Sequence, residues 1–339
     1  MRKKNIDIYP YNELPRFKRK GTVLGIETYL ERFYERGCVL LSSGHIGIYY
    51  FLLFHKIRRS DDILIPDFLC QIILNILNTS SFPVKCIDKR TKAILLYHQW
   101  GYPQKMDVVL PEAKKRNLLV IEDCAHSFDS TFQGKRVGTF GDAAIFSFSK
   151  MSPTGTTGFL VSSNSEFLEY VRQDKQKKNT LYNVLFSRFN FLIARKYYKK
   201  IKTHGWWNQV YVKSIEFPQV DKKSLALCPP TEYDFFAMLD ARKKNYLFLK
   251  NNVNATYLIP DLEENIDVNP LCIPIFLPPE KLEAARQALL QKGVECDILH
   301  FDINRNMFDS LYKKCLAVPC HPYISVEVLA DIVACINTV

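Results

Sequence analysis

The sequence lacks the glycine motifs of the best-known nucleotide sites. It contains neither G-x-G-x-x-G nor G-x-x-x-x-G-K-[ST], so it supports neither a dinucleotide site nor a P-loop. Its ten cysteines include no C-x-x-C pair. Their scatter excludes the spacing of a zinc site and of a small secreted disulfide scaffold, and we expect a reducing, cytoplasmic compartment.

Long apolar runs are also absent. No window reaches the roughly 20 apolar residues of a membrane-spanning helix, so we expect no such helix. The stretch 1–21 is basic but has no apolar core, from which we expect no secretory signal.

Acidic residues are in deficit, with 35 Asp and Glu against 46 Lys and Arg and a formal net charge of +11. This balance favours an anionic partner such as a phosphorylated ligand, an anionic membrane surface or nucleic acid, although no recognised motif supports nucleic acid. The excess is greatest in a basic aromatic segment, residues 173–203. It predicts a solvated helical face, a site for a nucleotide-sugar diphosphate, or a peripheral membrane contact.

Strand-like and helical patterns alternate from residue 38 to residue 163, which predicts an α/β domain with a mixed or mostly parallel sheet. A long helical pattern follows at 231–253, and a smaller α/β unit begins near residue 265. We therefore expect a large domain over 1–230, with a basic, aromatic helical segment at 165–215. Residues 231–339 would hold an interdomain helix and a small C-terminal domain.

Polar residues end two of the predicted strands. In SSGHIG (42–47), a Ser-Gly turn between a strand and a helix can cradle a phosphate, although such turns are common without one. Glu122 and Asp123 end another strand, where open α/β sheets place ligand groups; a helix N-cap is the alternative.

Longer segments, taken together, resemble one family. SSGHIGIYY resembles its phosphate turn, KAILLYHQWGYPQKMD (92–107) its A-I-I-P-V-H strand and loop, and CLAVPCHPY (315–323) its closing L-P-I-H-P motif. VIEDCAHSFDSTFQGKRVGTFGDAAIFSFS (120–149) is similar to its V-I-E-D-A-A-Q segment. The sequence is identified by this resemblance as a divergent member of the DegT/DnrJ/StrS family of pyridoxal 5'-phosphate (PLP)-dependent sugar aminotransferases. The resemblance implies an α/β fold, fold type I PLP-dependent transferase, with a large domain containing a mixed, mostly parallel sheet and a smaller C-terminal α/β domain.

The resemblance also implies the catalytic residues. Lys150 lies eight residues before Gly158, at the family's spacing, and is the candidate Schiff-base lysine, with an ordinary surface lysine as the alternative. Asp123 is the acid that faces the pyridine nitrogen of PLP. The interval between Ser147 and Lys150 is shorter than in the family, and Ser152 is the alternative equivalent of the lysine.

Further residues are implied to bind PLP, and none to bind a metal. His126 would lie beside the ring, Phe68 would stack on it, and a turn and a serine would hold the phosphate. The cofactor-binding residues implied are Ser43, Gly44, His45, Phe68, Asp123, His126, Ser147 and Lys150.

Several positions depart from the family pattern. His45 replaces a threonine, and the interval between Asp88 and Thr91 is too short for the usual helix. Cys70 is closer than Phe68 to the register of the stacking aromatic. The stretch LALCPPTEYDF (225–235) lacks the Asn and Arg of G-x-N-x-R. His98 and Trp100 either line the pocket or belong to the core, which is commoner for a strand-end aromatic, and His321 receives only a structural role.

The function implied is transfer of an amino group, with glutamate as the expected donor, to a nucleotide-linked keto-sugar in amino-sugar and surface polysaccharide biosynthesis. The expected assembly is a homodimer. Two alternatives stay open. The first is a sugar dehydratase of the same fold that depends on pyridoxamine 5'-phosphate (PMP), if Ser152 replaces the lysine. The second is a non-catalytic relative that binds a sugar nucleotide or a partner.

Overall fold

The structure is a computed structural model that describes residues 6–10, 17, 20–154, 157–180, 185, 212–259 and 265–338. Gly155 and most of the basic aromatic segment lie outside the described residues, as does the membrane contact predicted for that segment. In the described part of the chain, no helix is both long and apolar enough to cross a membrane.

Nine strands lie among the described residues of the first half of the chain. They are β1 (Gly37–Leu41), β2 (Asp62–Leu64), β3 (Phe82–Val84), β4 (Thr91–Tyr97), β5 (Leu119–Asp123), β6 (Thr131–Phe132), β7 (Lys135–Arg136), β8 (Ala143–Ser147) and β9 (Gly158–Ser162). Seven of them form one sheet in the order β1-β9-β8-β5-β4-β2-β3. Within this sheet β9 alone runs antiparallel to its neighbours, so the predicted mixed, mostly parallel sheet is confirmed.

Helices cover both faces of this sheet. They are α1 (Val23–Tyr34), α2 (Gly44–Phe54), α3 (Gln71–Ser80), α4 (Met106–Lys115), α5 (Phe148–Met151) and α6 (Ser165–Lys177). Ile145 packs with residues of α2 and α3, whereas its neighbour Phe146 packs with residues of α1. Successive side chains of a strand point to opposite faces, so a strand buried on both sides reads as a continuous apolar run.

A smaller C-terminal α/β unit follows, as predicted. Its elements, with the connecting segments, are α7 (Lys222–Leu225), α8 (Glu232–Asn252), β10 (Ile266–Asp267), β11 (Cys272–Ile275), α9 (Pro279–Gln291), β12 (Asp297–Asp302), β13 (Tyr312–Pro319) and α10 (Val326–Thr338). Strands β11, β13 and β12 form an antiparallel sheet, and α8, α9 and α10 pack around its core. The short β10 pairs with β6 of the larger unit.

Two strands of the sheet end early in otherwise apolar runs. Strand β3 ends at Val84, beside the last residue of β2, Leu64, just before Pro66. Strand β8 ends at Ser147, where α5 begins. The domain boundary at residue 230 stays a prediction; Ile8 and Trp100, which precede it, pack in the C-terminal core.

Candidate active site

The candidate catalytic residues meet at one edge of the large sheet. Strands β1, β5 and β8 run parallel to one another, so their carboxyl ends at Leu41, Asp123 and Ser147 lie at the same edge. Helix α2 begins there at Gly44, and α5 begins at Phe148.

Asp123 is a buried carboxylate with few donors. Its side chain is 4% exposed, and its Oδ1 accepts a hydrogen bond of 3.0 Å from the backbone N–H of Ala125. Burial raises the pKa of Asp123 to about 6, against the lowering effects of this hydrogen bond and of nearby positive charge. A cation placed beside Asp123 would therefore stabilise its ionised form.

Lys150 lies on α5 and is electrostatically coupled to both Asp123 and His126. Its Nζ is 4.0 Å from the centre of the Tyr9 ring. Its backbone carbonyl accepts a hydrogen bond of 3.4 Å from the buried Arg242 guanidinium. The structure thus brings together the lysine and the acid singled out in the sequence, while their catalytic roles stay a prediction.

Ser152, the alternative equivalent of the lysine, has a different environment. Its hydroxyl donates to the carbonyl of Leu227 at 3.1 Å, and the side chain is buried. This geometry favours Lys150 over Ser152 as the functional group beside Asp123.

His126 is held as a neutral imidazole. The Tyr97 hydroxyl and His126 Nδ1 share a hydrogen bond of 2.9 Å. Burial, followed by the positive charges of Lys150 and Arg242, lowers the pKa of His126 well below its usual range. At neutral pH the ring can therefore orient a ligand without adding charge.

The beginning of α2 carries a polar chain that the sequence did not reveal. Ser43 Oγ and His45 Nδ1 are 2.7 Å apart, and His45 Nε2 and Ser214 Oγ are also 2.7 Å apart. His45 therefore joins the start of α2 to a segment 169 residues later in the chain. The residue that replaces the family's threonine keeps a polar side chain at this helix N-terminus.

Two glycines keep the start of α2 clear of side chains. A Cβ on Gly44 would lie 2.5 Å from the carbonyl oxygen of Phe146, and a Cβ on Gly158 would lie 2.2 Å from the Gly44 nitrogen. Ser147, at the end of β8, shares a hydrogen bond of 2.9 Å with Ser149. The predicted phosphate-binding residues are thus close to one another and to a helix N-terminus.

Phe68 contacts the C-terminal unit. Its ring stacks on His300 with centroids 4.6 Å apart and planes at 10°, and it meets the Tyr312 ring edge-on at 4.8 Å. These contacts tie Phe68 to β12 and β13, and its stacking on the cofactor stays a prediction. Cys70, two residues later, lies near Tyr9.

His98 and Glu122 form a buried structural pair. His98 Nε2 and Glu122 Oε2 are 3.0 Å apart, and both side chains are fully buried. Glu122 also accepts three backbone hydrogen bonds of 2.7–2.8 Å, from Gly138, Phe140 and Gly141. Cys124 has its sulfur within 4.8 Å of the same ligand atoms. Because the Glu122 oxygens already accept these bonds, we interpret the cluster as a structural support of the loop after β7, and not as a metal site.

Glu122→Gln is expected to destabilise the protein by about 3–5 kcal/mol, since it breaks a buried charged network. Burial acts to raise the pKa of Glu122, but the bonds from His98 and the backbone prevail and lower it. A lowered pKa means that Glu122 stabilises the fold above its unfolded pKa of about 4.5 and loses this effect as pH falls through the folded value.

Denaturant unfolding at pH 7 and at decreasing pH measures both effects. The gap between wild type and Glu122→Gln should close below about pH 4.5. Glu169→Gln, at an exposed helical position bonded to Gln173, is the matched control and should change stability by less than about 0.5 kcal/mol. A Glu122→Gln variant as stable as this control at pH 7 would contradict the structural role.

Arg242 was missed in the sequence, although a signal was present. Buried residues of α8 recur at helical spacing, and Arg242 lies on this face between Leu239 and Tyr246. Its guanidinium donates to the carbonyls of Pro270 and Lys150, each at 3.4 Å. An arginine on the apolar face of a helix indicates a buried polar contact. Tyr9 and Ser214 had no comparable signal.

These residues fit PLP. The buried Asp123 carboxylate suits a protonated ring nitrogen, and the Lys150 amine suits an aldehyde. The start of α2, kept clear by Gly44 and Gly158, suits a phosphate. All three chemical requirements of the cofactor are met at one edge of the sheet.

Comparisons with known proteins agree with this interpretation. A model of the DegT/DnrJ/EryC1/StrS aminotransferase family matches residues 84–212. GDP-perosamine synthase of Escherichia coli O157:H7 is 32% identical over 163 residues, which cover 41% of this chain and 45% of the relative. The dTDP-3-amino-3,6-dideoxy-alpha-D-galactopyranose transaminase of Aneurinibacillus thermoaerophilus is 31% identical over 129 residues, which cover 33% and 36%. The chain thus spans less than half the length of these curated relatives.

The likeness in fold extends over nearly the whole chain. A DegT DnrJ EryC1 StrS aminotransferase from Brucella abortus has a TM-score of 0.68 and 14% sequence identity, and the match covers 93% of this chain and 89% of that one. The fold is accordingly that of the fold type I PLP-dependent transferases. Asp123 and Lys150 both lie inside the segment that the model of the DegT/DnrJ/EryC1/StrS aminotransferase family matches.

Proposed function

We propose that this protein is a PLP-dependent aminotransferase that moves an amino group from an amino-acid donor, glutamate, to a nucleotide-linked keto-sugar. The observation that carries the proposal is the meeting of Lys150 and Asp123 beside the start of α2. Relatives named as GDP-perosamine synthase and as a dTDP-amino-sugar transaminase support the substrate class. The net charge of +11 suits the anionic diphosphate of such a substrate.

Each side chain has a defined place toward the cofactor. Lys150 Nζ would hold PLP covalently, and Asp123 would face the ring nitrogen. Ser43, Gly44 and Ser147 would hold the phosphate at the start of α2. When bound, PLP supplies an electron sink that allows a C–H bond next to the amino group to break.

The proton transfers are assigned to Lys150. Its Nζ takes the proton from the α-carbon of the donor and later delivers a proton to the sugar carbon that receives the amino group. With PLP bound, an ionised Asp123 would face the ring nitrogen and stabilise the positive charge that favours these transfers. Neutral His126, which is hydrogen-bonded to Tyr97, would orient the ligand without competing for the proton.

The homodimer, the cytoplasmic location and the role in surface polysaccharide synthesis belong to the same proposal. They rest on the resemblance to the family, and the substrate-pocket contacts of a second subunit would add to the residues described. The diphosphate contact proposed for the basic aromatic segment 173–203 lies outside the described residues.

The test uses both halves of the reaction. Purified protein with added PLP should convert glutamate to 2-oxoglutarate, and it should then aminate one of a panel of GDP- and dTDP-linked keto-sugars. Enzymatic assay detects the first product and mass spectrometry the second. Lys150→Arg, which keeps the charge, is the matched control and should be inactive in both. A protein that binds PLP but produces neither product with any amino donor or sugar would contradict the proposal.

A further inference from the structure

Residues 6–10 form a segment, named here the N-terminal strap, that is bound to the C-terminal unit. The Ile6 N–H donates to the carbonyl of Gly293 at 2.8 Å, and the Glu295 N–H donates to the carbonyl of Ile6 at 2.7 Å. Ile6 forms a parallel bridge with Val294. The strap therefore begins as an added strand residue beside the C-terminal unit.

Two further contacts fix the strap. The ring of His321 accepts a hydrogen bond at Nδ1 from the Tyr323 N–H, so its Nε2 carries the proton and donates to the carbonyl of Asp7 at 3.0 Å. Ile8 packs in the core of the C-terminal unit. His321, for which the sequence indicated only a structural turn, thus anchors the backbone two residues before Tyr9.

The strap brings Tyr9 to the catalytic lysine of the large unit. Lys150 Nζ lies 4.0 Å from the centre of the Tyr9 ring, and the His126 ring lies 6.2 Å from it at 45°. Burial raises the pKa of the Tyr9 hydroxyl, the Lys150 charge and a hydrogen bond with the Lys150 side chain lower it, and the net pKa is above the usual value. Tyr9 therefore stays neutral at physiological pH, and its ring face attracts an ammonium group.

We propose that Tyr9 is a positioning residue for Lys150: its ring face holds the ammonium group beside Asp123, and the strap makes this hold depend on the C-terminal unit. The inference rests on the proposed function only in naming Lys150 as the cofactor lysine. A cation held on a ring face loses that attraction when it gives up its proton. Removing the ring therefore makes the reactive, unprotonated amine of Lys150 available at lower pH.

Other charged or titratable groups among the described residues also face Lys150, and the variants used in the test leave all of them unchanged. Asp123, on β5, favours the ammonium form, and His126, after β5, is neutral. Arg242, on α8, contacts the Lys150 carbonyl. Cys70, at the start of α3, lies near Tyr9. Only a change that is specific to the Tyr9 ring counts as support.

The experiment measures the titration of Lys150 without any cofactor. Full-length protein freed of PLP is trace-labelled with acetic anhydride over a pH series, and peptide mass spectrometry reports the modification of Lys150. In Tyr9→Leu, the midpoint of this profile should fall by about 0.5–1.5 pH units, the equivalent of a ring–cation attraction. Tyr9→Phe keeps the ring face and loses only the hydroxyl contact with Lys150, so its midpoint should lie between those of wild type and Tyr9→Leu.

Two further variants separate the proposal from a general change of structure. Tyr49→Leu removes a ring that lies 5.7 Å from Lys178 Nζ, and it should leave the Lys150 profile unchanged. His321→Gln loosens the strap, and it should shift the Lys150 midpoint in the same direction as Tyr9→Leu but by less. Tyr9→Gln, which also lacks a ring, replaces Tyr9→Leu if leucine disturbs folding.

The outcomes are distinct. A ring-free variant at position 9 with the wild-type midpoint overturns the proposal, and so does a Tyr9→Phe midpoint equal to that of Tyr9→Leu. An unchanged His321→Gln profile overturns the link to the C-terminal unit. Because the labelling needs neither PLP nor a sugar, a failure of amino transfer does not alter it, and the two proposals can fail separately.

Discussion

Lys150→Ala is expected to leave a folded protein that no longer fixes PLP covalently and whose rate of amino transfer falls by at least about 10²–10⁴-fold, the contribution of one acid–base group. The reason is that, in the proposed function, one Nζ both holds the cofactor and moves the proton. Wild type with PLP should show the visible absorption band of lysine-bound cofactor. Borohydride should then fix the cofactor on the peptide that contains Lys150.

Two further variants serve as controls for the Lys150→Ala result. Lys150→Arg keeps a positive charge near the Tyr9 ring but cannot hold the aldehyde, so it should also lack the band. Lys178→Ala removes a lysine that pairs with Asp174 at 2.7 Å on α6, and it should keep the band. A Lys150→Ala protein that retains a borohydride-fixed cofactor would assign the covalent role to another lysine.

The sheet could be predicted from the sequence because the pattern that indicates each strand lies within a short stretch of the chain. Ile145 and Phe146 pack on opposite faces of the sheet. A strand that is covered on both faces is a short apolar run, which the hydropathy of the sequence reveals. The edge of the sheet follows from the same pattern, since parallel strands place their carboxyl ends together. The position of Asp123 at the ligand edge therefore follows from the sequence.

The contacts to the strap and to Ser214 could not be predicted. Tyr9 meets Lys150 only because Ile6 and Asp7 are bonded to distant residues of the C-terminal unit. His45 meets Ser214 across 169 residues. Neither contact produces a periodic pattern or a fixed spacing in the sequence, because each depends on how distant segments of the chain pack together.

Similar residue types at strand ends also have different roles that the sequence does not separate. His98 follows β4 as His126 follows β5, yet His98 pairs with the buried Glu122 and His126 lies beside Lys150. Phe68 is implied by the resemblance to stack on the cofactor, although Cys70 is closer to the register of the motif. The ring of Phe68 contacts His300 and Tyr312, and its stacking on the cofactor stays a prediction. The difference lies in which face of the sheet and which unit each side chain meets.

Asp123→Asn is expected to have two opposite effects. Burial raises the folded pKa of Asp123 from 3.8 to about 6, so its contribution to stability is present below pH 3.8 and is lost as pH rises through about 6. Near pH 8 the ionised group therefore costs the cofactor-free protein roughly 3 kcal/mol, taking about two pKa units at about 1.4 kcal/mol each. Asparagine should recover most of this in denaturant unfolding, since its Oδ1 can still accept from the Ala125 N–H.

The same change should weaken PLP binding by about 10- to 100-fold, because a charged hydrogen bond to the ring nitrogen is lost. It should also reduce the rate of amino transfer by about 10²–10³-fold.

In wild type, PLP affinity should fall as pH decreases through about 6 and Asp123 becomes protonated. Titration of the cofactor at several pH values should show this component in wild type but not in Asp123→Asn. The control Asp129→Asn, which changes an acid between β5 and β6 that pairs with Arg136 of β7, should keep it. A protein made more stable yet less able to bind PLP would mark Asp123 as a carboxylate retained for the cofactor, because no role in the fold alone would require it. If Asp123→Asn instead destabilised the cofactor-free protein and left PLP affinity unchanged, the acid would belong to the architecture of the sheet edge, and the assignment of the ring nitrogen to it would be wrong.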